Sequence, residues 1–200
     1  MSRRTELTDA AIATLARDGM RGLTHRAVDR AAGLPEGSAS YYFRTRQALL
    51  QATVDRLVEL DATEIPPLPR GRLDLDAFVN AAAALVESWL ATGRDRLLAR
   101  YELSLEATRR PELRAALETA GAAVRAMVAR QLTAALGCAP HPAADDFVAF
   151  LDGLLFDQVA GAGTRELTGA DLRALIRALA TAVDDGSARR AAGPPAAGGS

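Results

Sequence analysis

The segment from Leu23 to Arg46 limits the possible folds of this chain more than any other stretch. It contains two short helical patterns joined by a tight turn, where Gly33 supplies a backbone conformation that a residue with a Cβ resists. Small side chains leave room for the two helices to cross closely: Ala27, Ala31 and Ala32. Two short helices with this turn predict a helix-turn-helix, whose second helix lies in the major groove of DNA.

The polar side chains of this segment are the candidate DNA contacts. Ser38 and Ser40 are short polar groups on the second helix, and we expect them to face the bases directly or through water. Thr24 is expected to cap the first helix at its anion-attracting N-terminus and to contact phosphate there. Three further side chains carry hydrogen-bond donors that are placed to hold phosphate: Tyr41, Tyr42 and Arg46. The Arg46 guanidinium offers two such donors. The alternative is that these residues have no role in DNA binding: the serines are then ordinary surface residues, the tyrosines core residues, and Thr24 only a helix cap.

Residues from about 7 to 50 resemble the DNA-binding domain of the TetR/AcrR family of one-component transcriptional repressors. The positions that match the family pattern are Thr24, Ala27-Val28, Ala32-Gly33-Leu34, Gly37-Ser38, Ala39-Ser40-Tyr41-Tyr42-Phe43 and Thr45-Arg46. The departures from the pattern are Ala39 for Leu, Ser40 for the first Tyr, Tyr42 for His and Arg46 for Lys. Because Ser40 and Tyr42 fall on expected DNA contacts, the operator sequence of a relative does not transfer to this chain.

The resemblance also implies roles and an assembly. It places Gly37 in the DNA-binding motif and His25 at a position that reaches either a base edge or solvent. It directs the two tyrosines at phosphates while Phe43 packs inside. It further implies that the last two long helices meet their copies from a second chain in a four-helix bundle, so that a homodimer reads a palindromic operator in double-stranded DNA. The alternative is that both helices are fully used inside one monomer.

Composition and hydrophobic periodicity predict an all-α protein of about nine helices. Hydrophobic residues make up 49% of the chain and aromatic residues only 4%, and alanine and leucine dominate, which favours helix over sheet. The predicted helices span about residues 4–17, 35–42, 46–64, 74–92, 94–109, 111–136 and 143–160, with one more capped by Thr24 and one that starts at Thr168. We expect a helix-turn-helix domain at 1–47, an antiparallel helical ligand-binding and dimerisation domain at 48–185, and a disordered tail at 186–200.

The charge is distributed unevenly along the chain. Residues 1–47 hold eight arginines and five acidic residues, a net charge of +3, whereas residues 48–200 have a net charge of −4. This asymmetry places the attraction for phosphate on the N-terminal domain. A chance imbalance on a solvated surface is the alternative.

The sequence offers little for catalysis or metal binding. Cys138 and His141 have a metal-like spacing, but no second Cys or His neighbour completes a tetrahedral site, since His25 lies in the other domain. We therefore expect no enzyme activity, no metal and no cofactor. The single cysteine, the lack of an apolar N-terminal signal and the lack of a long apolar stretch predict a cytoplasmic protein with no membrane partner.

The second domain, residues 48–185, is called the body below. It is expected to hold an unidentified small-molecule effector that releases the DNA. Candidate pocket residues are the aromatic side chains Trp89, Tyr101, Phe147 and Phe150, with Glu102 or Asp152 as polar anchors. The alternative for each aromatic residue is an ordinary core position. A second function class also stays open, because Ser40 and Glu36 are unusual on a DNA-binding helix: a helical ligand-binding or scaffolding protein whose N-terminal domain no longer binds DNA.

Overall fold

A computed structural model describes residues 2–65, 74–136, 143–162 and 166–191. Within these ranges the chain forms nine α-helices and no strand: α1 (Arg3–Gly22), α2 (His25–Ala31), α3 (Ser38–Tyr42), α4 (Arg46–Glu64), α5 (Leu75–Thr92), α6 (Arg94–Ala107), α7 (Pro111–Leu136), α8 (Ala143–Val159) and α9 (Gly169–Ala191). The all-α prediction with about nine helices is confirmed. None of the described helices is both long and apolar enough to cross a membrane.

Most helices begin where the sequence supplies a cap. The side chains of Thr24, Thr45 and Asp74 each accept a hydrogen bond from the backbone N–H three residues further on, at 3.1, 3.0 and 2.7 Å. Thr168 and Asp171 exchange hydrogen bonds at the start of α9, which is the geometry of a capping box. Local signals of this kind explain why the predicted bounds of α4 and α7 agree with the structure.

Helix bounds depart from prediction by more than two residues at three places. α1 continues to Gly22 across a kink at Gly19, whose φ of 66° lies in the left-handed region. α3 begins at Ser38 rather than at Pro35, because the left-handed Gly37 (φ 95°) stands directly before it. α9 reaches Ala191 and so extends into the segment predicted to be disordered, while residues 192–200 lie outside the described residues.

Two hydrophobic clusters organise the chain. The first contains side chains from α1, α2 and α3 and from parts of α4, α6 and α7. Its fully buried side chains include Leu7, Leu15, Leu49, Leu103 and Leu113. The second lies within the body and includes Phe78, Phe147, Leu155, Leu172 and Ile176. Because the first cluster contains body residues, the N-terminal helices pack directly on the body. Ala31, one of the small residues expected where the two short helices cross, is exposed.

Candidate nucleic-acid interface and body cavity

α3 turns its polar face outward because two apolar side chains anchor its other face. Ala39 and Phe43 are buried, with 0% and 1% of their surface exposed. Tyr41 is 79% exposed and Tyr42 is 39% exposed, and Ser40 is exposed beside them. The two tyrosine rings meet edge to face, with their centroids 5.2 Å apart. Three neighbouring hydroxyl groups are therefore presented on one short helix.

A buried aspartate that the sequence reasoning missed holds the N-terminus of α3. Asp29 on α2 is only 1% exposed. Its Oδ2 accepts a hydrogen bond from the N–H of Gly37 at 2.9 Å, and its Oδ1 accepts one from the N–H of Ala39 at 2.6 Å. Gly37 has no side chain with which to cap α3, so Asp29 supplies the cap from the neighbouring helix. The carboxylate thereby fixes the orientation of α3 relative to α2.

Ser38 and Thr24 both satisfy backbone groups. The Ser38 hydroxyl donates to the carbonyl of Pro35 at 2.7 Å, which leaves its oxygen as an acceptor. The Thr24 hydroxyl accepts from the N–H of Ala27 at 3.1 Å and caps α2 as predicted. Contacts of either residue with DNA stay predictions.

His25 and Arg46 lie elsewhere than expected. His25 Nε2 donates to the carbonyl of Phe43 at 2.7 Å, so its ring ties the start of α2 to the end of α3 instead of facing a base or solvent. The Arg46 guanidinium donates to the carbonyl oxygens of Leu23 and, at 2.6 Å, of Met20. The two donors expected for phosphate are thus engaged within the chain. This corrects the predicted placement of both side chains, while their part in DNA binding stays a prediction.

The body contains a cavity of about 280 Å³ that is walled by α4, α5, α6, α7 and α8. Three of the predicted pocket residues line it: Trp89, Phe147 and Asp152. Most of the wall is apolar, and residues such as Leu57, Val86 and Leu151 contribute to it. The volume is close to the lower limit for small-molecule sites in proteins.

The other three predicted pocket residues do not line this cavity. Tyr101 packs its ring edge to face against Phe156, and burial raises its pKa to about 12. Phe150 is 45% exposed on the outer side of α8. Glu102 faces the N-terminal domain, where its Oε2 accepts the N–H of Met20 at 2.8 Å. Helical periodicity separates these residues from their cavity-lining neighbours, which explains the error.

A polar group in the cavity wall escaped the sequence reasoning. Asp61 on α4 is 7% exposed, and both of its oxygens accept from Arg100 Nη2, at 3.1 and 3.0 Å. Burial raises the pKa of Asp61 and of Asp152, although Arg100 opposes the shift in both. The sequence does contain a signal for this site, because Asp61 lies on an otherwise apolar helical face. Charged residues are almost never buried without a partner.

No cluster of three potential metal ligands occurs among the residues that the structure describes. Cys138 and His141, the pair with metal-like spacing, lie outside those residues.

Two family models match this chain. Residues 7–53 match the model for bacterial regulatory proteins of the tetR family. Residues 73–182, more than half of the chain, match the model described as the tetracyclin repressor-like C-terminal domain. The chain belongs to the TetR family. It is accordingly a DNA-binding transcriptional regulator with a helix-turn-helix.

Two curated relatives of this TetR-family regulator match over part of their length. It is 26% identical over 111 residues to the HTH-type nicotine-responsive transcriptional repressor HdnoR of Paenarthrobacter nicotinovorans, which covers 56% of the chain and 57% of HdnoR. It is 31% identical over 102 residues to the HTH-type transcriptional regulator BetI of Escherichia coli, which covers 44% of the chain and 52% of BetI. The matches thus span a little over half of each relative.

Solved TetR-family structures align with nearly the whole chain. The multidrug binding protein EbrR, complexed with ethidium, is 28% identical with a TM-score of 0.67, over 89% of this chain and 98% of EbrR. A TetR-family member from Streptomyces coelicolor A3 is 30% identical with a TM-score of 0.68, over 90% of this chain and 98% of its own. The N-terminal and C-terminal parts of this TetR-family chain therefore both share the fold of these solved structures.

Proposed function

We propose that this chain is a homodimeric repressor that binds a palindromic operator through α3 and is released when a small molecule occupies the body cavity. The observation that carries the proposal is the outward face of α3, where Ser40, Tyr41 and Tyr42 are exposed above the buried Ala39 and Phe43. Residues 1–47 form the DNA-binding part and residues 48–185 the regulatory part. The protein acts in the cytoplasm.

Within this proposal the exposed groups divide by role. Ser40, together with the acceptor oxygen of Ser38, reads base edges, because a short hydroxyl hydrogen-bonds in the groove without steric conflict. Tyr41, Tyr42 and Thr24 contact phosphate, which fixes register without reading sequence. Gly37, His25 and Arg46 position α2, α3 and α4 relative to one another, as their internal hydrogen bonds indicate.

Dimerisation is proposed to use the outer faces of α8 and α9. The outward arc of α8 carries two exposed aromatic side chains, Phe150 at 45% and Phe156 at 44%. Exposed small residues accompany them, Ala149 and Gly153 in α8 and Ala160 just after it, and these permit close approach of another helix. A second copy related by a two-fold axis would cover this face and present two α3 helices to the two half-sites.

The effector is proposed to act through α6. Arg100 and Ser104 line the cavity from one side of this helix, and Glu102 bonds the end of α1 from the other side. A ligand that shifts the protein from 99% DNA-competent to 99% released must prefer the released form by about 5.5 kcal/mol. HdnoR is named as nicotine-responsive and EbrR was solved with ethidium, so ligand response in relatives supports this part of the proposal.

Selection of duplexes from a random pool, followed by sequencing, tests the DNA-binding proposal. We expect enriched palindromes, whose affinity falls with salt at a slope of about −0.9 per phosphate contact on log–log axes. Tyr41→Phe should weaken all duplexes about equally, whereas Ser40→Ala should change which duplexes are enriched. A protein that dimerises and binds a ligand yet enriches no sequence would instead be a ligand-binding or scaffolding protein.

A further inference from the structure

The charged side chains in the wall of the body cavity balance one another. Two carboxylates and two guanidinium groups line it, from the residues Asp61, Asp152, Arg100 and Arg125. They come from four different helices, α4, α8, α6 and α7, and the other described residues of the wall are uncharged. Two negative and two positive charges sum to zero, so the wall as a whole attracts neither a cation nor an anion.

Each of these four groups already has an opposite charge beside it. Both oxygens of Asp61 accept from Arg100 Nη2, at 3.1 and 3.0 Å. Asp152 Oδ1 lies 3.8 Å from Arg100 Nη1. Burial raises the pKa of Asp152, and Arg100 and Arg125 both oppose this rise. Arg125 also lies 3.4 Å from Asp145, but that side chain is 50% exposed and outside the wall, so solvent screens its charge.

A ligand with a net charge gains little from such a wall. Its charge would leave water for a largely apolar cavity whose charged groups are already paired, and an unmatched charge costs much more there than in water. A cation would compete with Arg100 and Arg125 for Asp152, and an anion would compete with the two carboxylates for the arginines. A neutral ligand leaves the balance of the wall intact.

The size of the cavity and its uncharged side chains limit the rest of the ligand. A volume of about 280 Å³ equals that of about nine water molecules in the liquid, at about 30 Å³ each. A ligand of roughly ten non-hydrogen atoms fills that space. Trp89 and Phe147 offer aromatic surface to a flat or hydrocarbon body. Ser104 and Gln131 add uncharged hydrogen-bonding groups to the wall, which suit a neutral polar substituent.

We propose that the cavity binds a small, electrically neutral organic molecule with a mostly apolar body and one uncharged polar group. The balanced wall excludes ions of either sign in favour of such a molecule, because a net charge finds no free partner there. As the identity of the effector, this inference rests on the proposed ligand-released repression; as a statement about binding, it stands on the cavity alone.

Trp89 makes the test direct, because it is the only tryptophan of the chain and it lines the cavity. Its fluorescence is titrated at low salt with three 2-phenylethyl compounds of matched shape: the neutral methyl 2-phenylethyl sulfone, the anion 2-phenylethanesulfonate and the cation trimethyl(2-phenylethyl)ammonium. The wild-type protein is expected to bind the sulfone at least about tenfold more tightly than either ion. A smaller preference, a more tightly bound ion, or no binding of the sulfone would overturn the proposal.

Substitutions that unbalance the wall should create a preference between the two ions. Asp152→Asn leaves one positive charge in excess and should raise the affinity for the sulfonate relative to the ammonium by at least about threefold. Arg125→Gln leaves one negative charge in excess and should shift this ratio as far the other way. Asp157→Asn, exposed and outside the wall, should leave it unchanged. Melting curves check that all variants fold. An unchanged or opposite ratio in either wall variant, or an equal shift in Asp157→Asn, contradicts the proposal.

A parallel measurement of operator binding separates this inference from the proposed function. If the sulfone binds with the expected preference but leaves operator affinity unchanged, the inference about the ligand stands and release by this ligand fails. If an ion binds more tightly than the sulfone and releases the operator, the proposed function stands and the inference fails.

Discussion

Asp29 lies beneath the N-terminus of α3 and accepts the backbone N–H groups of Gly37 and Ala39. At 1% exposure, it is a buried carboxylate whose partners are both backbone donors of the helix that we propose enters DNA. The orientation of the exposed residues on α3 thus depends on a side chain that touches no DNA.

Asp29→Ala should weaken operator binding and destabilise the N-terminal domain, because two buried N–H groups lose their acceptor. We expect the free energy of unfolding to fall by about 1–3 kcal/mol in urea titrations. Operator affinity, measured by fluorescence anisotropy under folding conditions, should fall as well. Asp55→Asn, an exposed carboxylate on α4, is the control. Wild-type operator affinity in Asp29→Ala would show that Asp29 does not position α3.

The raised pKa of Asp152 predicts a pH dependence with a defined sign. Because burial raises this pKa, the native state keeps the proton to a higher pH than the unfolded chain does. The stability due to this group is fully present below the unfolded pKa and is lost as pH rises through the folded pKa. Asp152→Asn cannot ionise, so it should gain stability relative to wild type as pH rises above about 4, the ordinary pKa of an aspartate. Urea unfolding of both proteins at a series of pH values checks the sign. A fall in the stability of Asp152→Asn relative to wild type as the pH rises would contradict it.

At the scale of elements, the turns around α3 depend on glycines with positive φ. Gly33 has a φ of 66° and Gly37 a φ of 95°, and no atom lies within 4 Å of the position where either Cβ would stand. A side chain at these positions would therefore meet open space, and only the backbone conformation would resist it. The turn into α3 is set by conformational preference rather than by steric fit.

Gly33→Ala should lower the free energy of unfolding by about 1–2 kcal/mol, the cost of a left-handed conformation for a residue with a Cβ. Gly33→Asn should lower it by less, since asparagine tolerates this region better. Thermal and urea unfolding of the two variants give the comparison. An equal or larger loss in Gly33→Asn than in Gly33→Ala would point to a cause other than φ.

Elements that carry their own start and stop signals could be predicted from the sequence. Thr45 and Pro111 mark the beginnings of α4 and α7, and the predicted and observed bounds agree there. The predicted start of α3 is wrong because it places Pro35 in the first helical turn, whereas Pro35 belongs to the turn before Gly37. The placement of Arg46 depends on backbone carbonyls more than twenty residues away, and local patterns carry no information about such contacts.

At the scale of the whole molecule, α6 lies between the cavity and the N-terminal domain. Arg100 faces the cavity, and Glu102, two residues further along the helix, bonds the N–H of Met20 just after the kink at Gly19. The carbonyl of Met20 in turn accepts from Arg46 at the start of α4. A displacement of α6 by a ligand would therefore act on the junction of α1 and α4.

Glu102→Ala should reduce the effect of a bound effector on operator affinity, because it removes the direct bond between α6 and α1. Effector binding in the cavity should be retained, since Glu102 does not line it. Operator affinity is measured with and without saturating ligand, and the ratio of the two is the readout. Glu106→Ala, one turn further along α6 and paired with Arg110, is the matched control. An unchanged ratio in Glu102→Ala would exclude this contact as the route of coupling.

Phe150 tests the proposed dimer. It is 45% exposed on α8 and lies beside the small residues at which a second copy would pack. Because almost half of the surface of Phe150 is uncovered in the single chain, Phe150→Glu should leave the protomer folded while it places a charge in the proposed interface.

Sedimentation equilibrium should then give the mass of one chain, 21.0 kDa, where the wild type gives twice that mass. Operator affinity should fall steeply, since a lone protomer contacts one half-site only. Leu105→Glu puts the same charge at another exposed hydrophobic residue, 62% exposed on α6, and should stay dimeric. A wild type that sediments as one chain, or a Phe150→Glu variant that stays dimeric, would contradict the proposed interface, because charge in a packed helix–helix contact is not tolerated without a partner.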